Sequence, residues 1–169
     1  MPTVYLALGS NLGDRLTALQ SAISALKAVA QISAFSKVYE TAPAYVVDQP
    51  DFFNAAVRIQ TELTPIELLD YVKQAEIELG RVSSMRYGPR KIDIDLLHYE
   101  HVTLNDTRLT LPHPRIAERS FVLLPLADIA PELILPGQHL SVAELAQAFR
   151  NNDDIRETSF QLHSEMHIA

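Results

Sequence analysis

The chain of 169 residues contains no cysteine, which excludes disulfides and thiolate metal sites and leads to the expectation of a cytoplasmic protein. No stretch reaches the roughly 18 uninterrupted apolar residues of a membrane-spanning helix. The opening Met1-Pro-Thr-Val-Tyr5 lacks a basic segment and runs straight into strand-like sequence, so no signal peptide is expected. The six histidines are scattered and have no thiolate partners, so zinc is not expected either. Neither G-x-G-x-x-G nor G-x-x-x-x-G-K-[ST] occurs. Gly9 to Asp14 therefore reads as a loop leading into a helix rather than as a phosphate cradle. Internal repeats and low-complexity linkers are absent as well.

What remains is an ordinary globular composition, 47% hydrophobic and 21% charged. The length suits one domain, expected over residues 1–150, followed by a loose polar tail at 151–169. A net charge of −7 disfavours nucleic acid as a partner, and nothing points to a membrane. The charge is unevenly spread. Residues 81–119 carry seven Lys/Arg against five Asp/Glu, leaving −9 for the rest of the chain. A confined basic segment of this kind suits a small polyanion such as a nucleoside triphosphate, and a monomer or weak dimer is the expected state.

Hydrophobic periodicity predicts the elements. Thr3 to Gly9 reads as a buried strand, and Leu16, Leu19, Ile23 and Leu26 mark one face of a helix. Ile32 to Thr41 resembles a second strand. Phe53, Ala55, Val57 and Ile59 alternate with polar or small residues in a third. Thr64-Pro65-Ile66-Glu67 is a capping box opening a helix with Leu68, Leu69, Val72, Ala75 and Leu79 on its core side. Glu76 sits on the shoulder of that stripe, where solvent is the expected neighbour and an anchoring carboxylate the alternative. A fourth strand runs from Lys91 to Tyr99, a hairpin turns at Asn105-Asp106, and helices follow from Ser120 and Ser141. The order β-α-β-β-α-β over residues 3–99 predicts an α+β fold with a ferredoxin-like split βαβ core, both helices on one face, and an added C-terminal hairpin and helices. A doubly wound α/β fold is the alternative.

The chemistry concentrates in Arg86-Tyr-Gly-Pro-Arg90-Lys-Ile-Asp93-Ile-Asp95. In a strand, alternate side chains share a face, so Asp93 and Asp95 project together with Cα atoms roughly 6.5–7 Å apart. Ile92, Ile94 and Leu96 take the opposite face. Two hard oxygen ligands at that separation suit one or two Mg²⁺ ions, with phosphate oxygens completing the shell. The neighbouring arginines offer planar forks for phosphate.

Six segments together resemble the 6-hydroxymethyl-7,8-dihydropterin pyrophosphokinase family. They are Ala7–Leu12, Asp48–Val57, Glu76–Arg81, Arg86–Asp95, Leu111–Pro114 and Arg119–Phe121. Such enzymes transfer the β,γ-pyrophosphoryl unit of ATP to the hydroxymethyl oxygen of the pterin, release AMP, and serve folate biosynthesis. The resemblance implies ATP and the hydroxymethyl dihydropterin as substrates, a ferredoxin-like core and two Mg²⁺ ions. It makes Asp93 and Asp95 the metal ligands, and counts Arg81 and Arg90 with them as catalytic. Glu76, Arg81, Arg90, Arg108, His113 and Arg119 would serve ATP. Thr41, Pro43, Phe52, Asn54, Asp95 and Phe121 would form the pterin subsite, with Phe52 and Phe121 sandwiching the ring and Asn54 reading its edge. Residues 42–50 and 82–89 match loops that close over substrates.

The chain departs from the family pattern in several places. Phe52 stands where tyrosine is frequent and Tyr87 where tryptophan is usual. Ser83 replaces a residue that is often basic, and Pro114 follows His113 where tyrosine can occur. These changes bear on loop closure and ATP affinity, not on the reaction class. A Mg²⁺-dependent phosphohydrolase or nucleotidyltransferase would use the same Asp pair, but leaves Phe52, Asn54 and Phe121 without a role. A silent binding module has little need of two adjacent metal ligands.

Overall fold

Alternation along the first strand sets up two cores on opposite faces of one sheet. The computed structural model describes residues 1–46, 48–80 and 89–164. Its elements are β1 (Thr3–Ser10), α1 (Arg15–Leu26), β2 (Ala30–Phe35), β3 (Tyr39–Thr41), β4 (Phe52–Thr61) and α2 (Pro65–Glu78). These are followed by β5 (Asp93–Tyr99), β6 (Leu104–Asn105), β7 (Thr110–Leu111), α3 (Ser120–Ile129), α4 (Val142–Gln147) and β8 (Ile155–Glu157). Val4, Leu6 and Leu8 of β1 are buried in one cluster with Leu19 and Ile23 of α1 and Leu68 and Val72 of α2. Ile92, Ile94 and Leu96 join the same cluster, as expected of their register. Tyr5 and Ala7 point the other way, against a second cluster built on Leu123 and Leu126 of α3 and Val142 and Ala146 of α4.

The main sheet runs β5-β1-β4-β3-β8, with β2 also on β4. Every pairing is antiparallel. This makes the fold α+β and sets aside the doubly wound alternative, whose strands would be parallel. Both expected capping boxes form, Thr64 with Glu67 and Ser141 with Glu144. Helix α3 continues through Pro125, losing the one backbone bond that a proline nitrogen cannot make.

Two expectations are corrected. The predicted strand 32–41 is two strands, because Ser36 breaks into the ladder. Its Oγ accepts the backbone N–H of Ala56 at 2.7 Å, while its own N–H donates to Ala56 O at 2.9 Å. The side chain takes a backbone position, and β2 and β3 then pair with successive halves of β4. The tail is not loose over the described residues. Ile155–Glu157 is a strand on β3, and Ile155 and Leu162 are buried.

Candidate active site

On the α3 side of the sheet a cavity of about 310 Å³ opens at one end of the central strands. Its floor is β1. Ala7 lies between Ala56 of β4 and Asp95 of β5, and Gly9 between Asn54 and Asp93. Two inter-strand spacings separate the Asp strand from the Asn54 strand, roughly 9–10 Å. Small residues on β1 keep that span open. A Cβ on Gly9 would sit 2.8 Å from Asn54 Oδ1 and 3.8 Å from the Phe52 ring, so only glycine leaves Asn54 where it is.

The pterin-side residues expected from the sequence gather at this cavity. Thr41, Phe52, Asn54 and Phe121 all line it. Asn54 is buried, and its Nδ2 donates to Thr41 Oγ1 at 2.7 Å, which fixes the orientation of the amide. The two phenylalanines are each half-buried. Pro43 is not on the wall, although its neighbours Ala42 and Ala44 are.

Asp93, Asp95, Arg90, His113 and Arg119 form the charged part of the wall. Asp93 and Asp95 alternate with the buried Ile94, as period-two geometry requires. Among the described residues no group of three or more acidic or imidazole side chains gathers to hold a metal. Two carboxylates facing an open cavity fit Mg²⁺, which keeps water and substrate phosphate as its other ligands. Arg119 donates from Nε to the Tyr45 hydroxyl at 3.1 Å and packs its guanidinium 5.6 Å from the Phe121 ring centre. The His113 ring is kept neutral at lower pH than an ordinary histidine. Burial is the main cause, Arg119 and Arg115 add to it, and Asp95 opposes it. Its Nδ1 accepts the Arg115 N–H at 3.2 Å, so in the neutral ring the proton sits on Nε2.

Two residues expected to serve ATP are not on the cavity wall. Arg108 is exposed on the β6–β7 hairpin and pairs with Asp70. Glu76, expected in solvent, is 1% exposed. One carboxylate oxygen accepts the Ile94 N–H at 2.8 Å and the other pairs with Lys73 at 3.1 Å, so it anchors α2 to the strand carrying the aspartates. Arg81, Arg86, Ser83, Tyr87 and nearly all of the 82–89 loop fall outside the described residues.

Other residues at the site were not singled out from sequence. Lys73 adds a cation to the wall, and Tyr45 and Gln49 bring in the 42–50 loop. Asn11, buried beneath them, donates to Gln49 Oε1 and to Pro50 O, both at 2.9 Å. Its Oδ1 accepts the Arg90 N–H at 2.7 Å, and its own N–H donates to Arg90 O at 2.9 Å. One asparagine thus joins the 42–50 loop to Arg90. Its place in Gly9-Ser-Asn-Leu12 was the available signal.

Residues 5–131 match the family model for 7,8-dihydro-6-hydroxymethylpterin-pyrophosphokinase, HPPK. A 2-amino-4-hydroxy-6-hydroxymethyldihydropteridine pyrophosphokinase of Methylorubrum extorquens is 49% identical over 140 residues, covering 82% of this chain and 89% of that protein. A Haemophilus influenzae protein of the same name is 40% identical over 161 residues, covering 92% and 98%. A folic acid synthesis protein of Dictyostelium discoideum is 41% identical over 152 residues, which cover 90% of this chain but only 23% of that one. The crystal structure of wild-type Plasmodium falciparum HPPK-DHPS with SDX-DHP shares the fold at a TM-score of 0.69 and 18% identity, covering 88% of this chain and 44% of that chain.

Proposed function

The chain belongs to the 7,8-dihydro-6-hydroxymethylpterin-pyrophosphokinase family, and from that premise we propose that it transfers pyrophosphate from ATP to 6-hydroxymethyl-7,8-dihydropterin in folate biosynthesis. The hydroxymethyl oxygen attacks the β-phosphorus as AMP departs. The observation that carries this reading is one cavity lined both by an Asp pair, two arginines and a histidine and by Asn54 with two phenylalanines. A hydrolase would not need the second half.

Asp93 and Asp95 would hold Mg²⁺, two ions in this reading, which neutralise the triphosphate and help align it for in-line attack. Arg90 and Arg119 bind phosphate oxygens by planar forks, with Lys73 adding charge and Arg81 completing the set. His113 donates from Nε2 toward the nucleotide's phosphates. Phe52 and Phe121 stack the pterin, and Asn54, fixed by Thr41, reads its hydrogen-bonding edge. The strand order β5-β1-β4-β2, antiparallel throughout, supports a ferredoxin-like core beneath this site. No helix among the described residues is long and apolar enough to cross a membrane.

Incubation with ATP, Mg²⁺ and the hydroxymethyl dihydropterin, followed by separation of products, tests the reading. AMP and pterin diphosphate in equal amounts are expected. Asp93→Ala and Asp95→Ala should each lower turnover by at least about 10³-fold with the fold intact. ADP, free pyrophosphate, or no product from the parent chain would overturn it.

A further inference from the structure

The segment after the family-matched residues 5–131 is bound to both ends of the loop over the pterin side of the cavity. Strand β8 pairs with β3 so that Arg156 stands opposite Glu40 and Ile155 opposite Thr41. The ladder continues into the loop, where the Ala42 N–H donates to Asp154 O at 2.8 Å. The Arg156 guanidinium pairs with the Glu40 carboxylate and lies 3.7 Å from Asp51 Oδ2. Glu40 lies in β3 just before the loop and Asp51 is the last residue of the loop. Arg15 repeats the link from α1, pairing with Glu40 at 2.7 Å and donating to the Asp51 carbonyl at 3.1 Å. Two arginines from distant parts of the chain therefore hold the same two loop ends.

The segment is itself held down. Ile155 and Leu162 are buried, Phe160 packs 5.5 Å from the Phe53 ring, and Gln20 and His163 exchange hydrogen bonds. The residues next to the clamped ends are Thr41 and Phe52, both on the cavity wall. Thr41 in turn fixes the Asn54 amide. Any freedom at Glu40 or Asp51 passes directly to groups facing the pterin.

We propose that Arg156 is a positioning residue for the pterin subsite, acting with Arg15 to fix the spacing between the two ends of loop 42–51. This rests on the pterin assignment above. Arg156 touches no substrate. It sets where Thr41 and Phe52 stand before substrate arrives, so its effect falls on the pterin and not on the nucleotide.

The test compares parent, Arg156→Ala and Arg156→Lys as full-length chains. The readouts are KM for each substrate, kcat, melting temperature, and amide hydrogen exchange without substrates. Arg156→Ala should raise the pterin KM about three- to fivefold, the scale of exposed ion pairs, and leave the ATP KM within about 1.5-fold. Exchange should quicken over residues 42–51 and not in α2 or α3. Arg156→Lys keeps the charge opposite Glu40 and should recover most of the pterin KM. Equal rises in both KM values, or a lower melting temperature with unchanged pterin KM, would overturn the proposal. If the parent makes no AMP, the pyrophosphokinase reading fails, and exchange alone then judges the clamp. Unchanged exchange over 42–51 in Arg156→Ala would show that the clamp does not exist.

Discussion

Glu76 Oε2 accepts the backbone N–H of Ile94 at 2.8 Å, and Ile94 is the residue between Asp93 and Asp95. A buried carboxylate on α2 therefore fixes the strand at the point from which both cavity carboxylates project. Glu76→Ala leaves the Ile94 N–H buried without its acceptor, which costs about 1–3 kcal/mol. Turnover should fall as well, since the Asp pair loses its support. Glu76→Gln retains an acceptor oxygen and should lose less on both counts. Urea denaturation beside steady-state turnover checks this, and a Glu76→Ala variant as stable as the parent would refute the anchoring role.

Gly9→Ala should injure pterin binding selectively. The added methyl would lie 2.8 Å from Asn54 Oδ1, and the Asn54 side chain cannot easily swing away while its Nδ2 is bound to Thr41. The pterin KM is expected to rise about tenfold or more, equivalent to about 1.4 kcal/mol, with ATP affinity little changed. Titration of each ligand separately decides the matter. Normal pterin affinity in Gly9→Ala would mean that Asn54 does not read the ring edge.

These residues also show what sequence can and cannot reveal. The Asp pair was legible because strand periodicity alone puts Asp93 and Asp95 on one face and Ile94 on the other. The helices were legible for the same kind of reason, with caps at Thr64 and Ser141 marking their starts. Thr41, Phe52, Asn54 and Phe121 were assigned through resemblance, and the fold brings all four to one cavity. Glu76 reads first as solvent-facing and only second as an anchor, because a carboxylate at the shoulder of an apolar stripe looks the same whether it meets water or a buried N–H. Asn11 was passed over because a loop asparagine carries no local trace of partners 38 and 39 residues away. The segment 155–157 looked loose because edge pairing uses backbone groups, which composition does not record. Only Ile155 and Leu162 hint at its anchorage.

Acid should destabilise the fold through His98. Burial lowers its pKa below the ordinary 6.5; Glu100 opposes this and His101 adds to it. Its buried Nδ1 has no hydrogen-bond partner among the described residues, and its ring packs 6.1 Å from Tyr5. Well above pH 6.5 the ring is neutral in both folded and unfolded chains and contributes no pH dependence. As pH falls below that value the unfolded chain takes up a proton that the folded chain resists, so stability declines. His98→Phe removes this titration. Denaturation of parent and variant at pH 7.5 and 5.5 (about one unit either side of the ordinary value) should show a steeper acid loss in the parent. Parallel losses in the two proteins would place the acid sensitivity elsewhere, with His113 the next group to test.

Phe121 separates a substrate wall from a core residue. It lies at the start of α3, half-buried, lining the cavity and packed against the second cluster. Arg119 holds its guanidinium 5.6 Å from the same ring. If the ring stacks on the pterin, Phe121→Ala removes about 0.5–1.5 kcal/mol of aromatic contact, a two- to tenfold loss of pterin affinity. Binding of a non-hydrolysable ATP analogue should change by less than about twofold, since Arg119 loses only a half-buried cation–π neighbour. A fully buried phenylalanine cut to alanine would instead cost about 3–5 kcal/mol of stability. Half-burial predicts a much smaller drop in melting temperature than that. Weak pterin binding with nearly normal nucleotide binding and a modest melting shift supports the stacking role. A large melting shift, or equal losses for both ligands, would return Phe121 to the core and leave Phe52 and Asn54 to recognise the pterin.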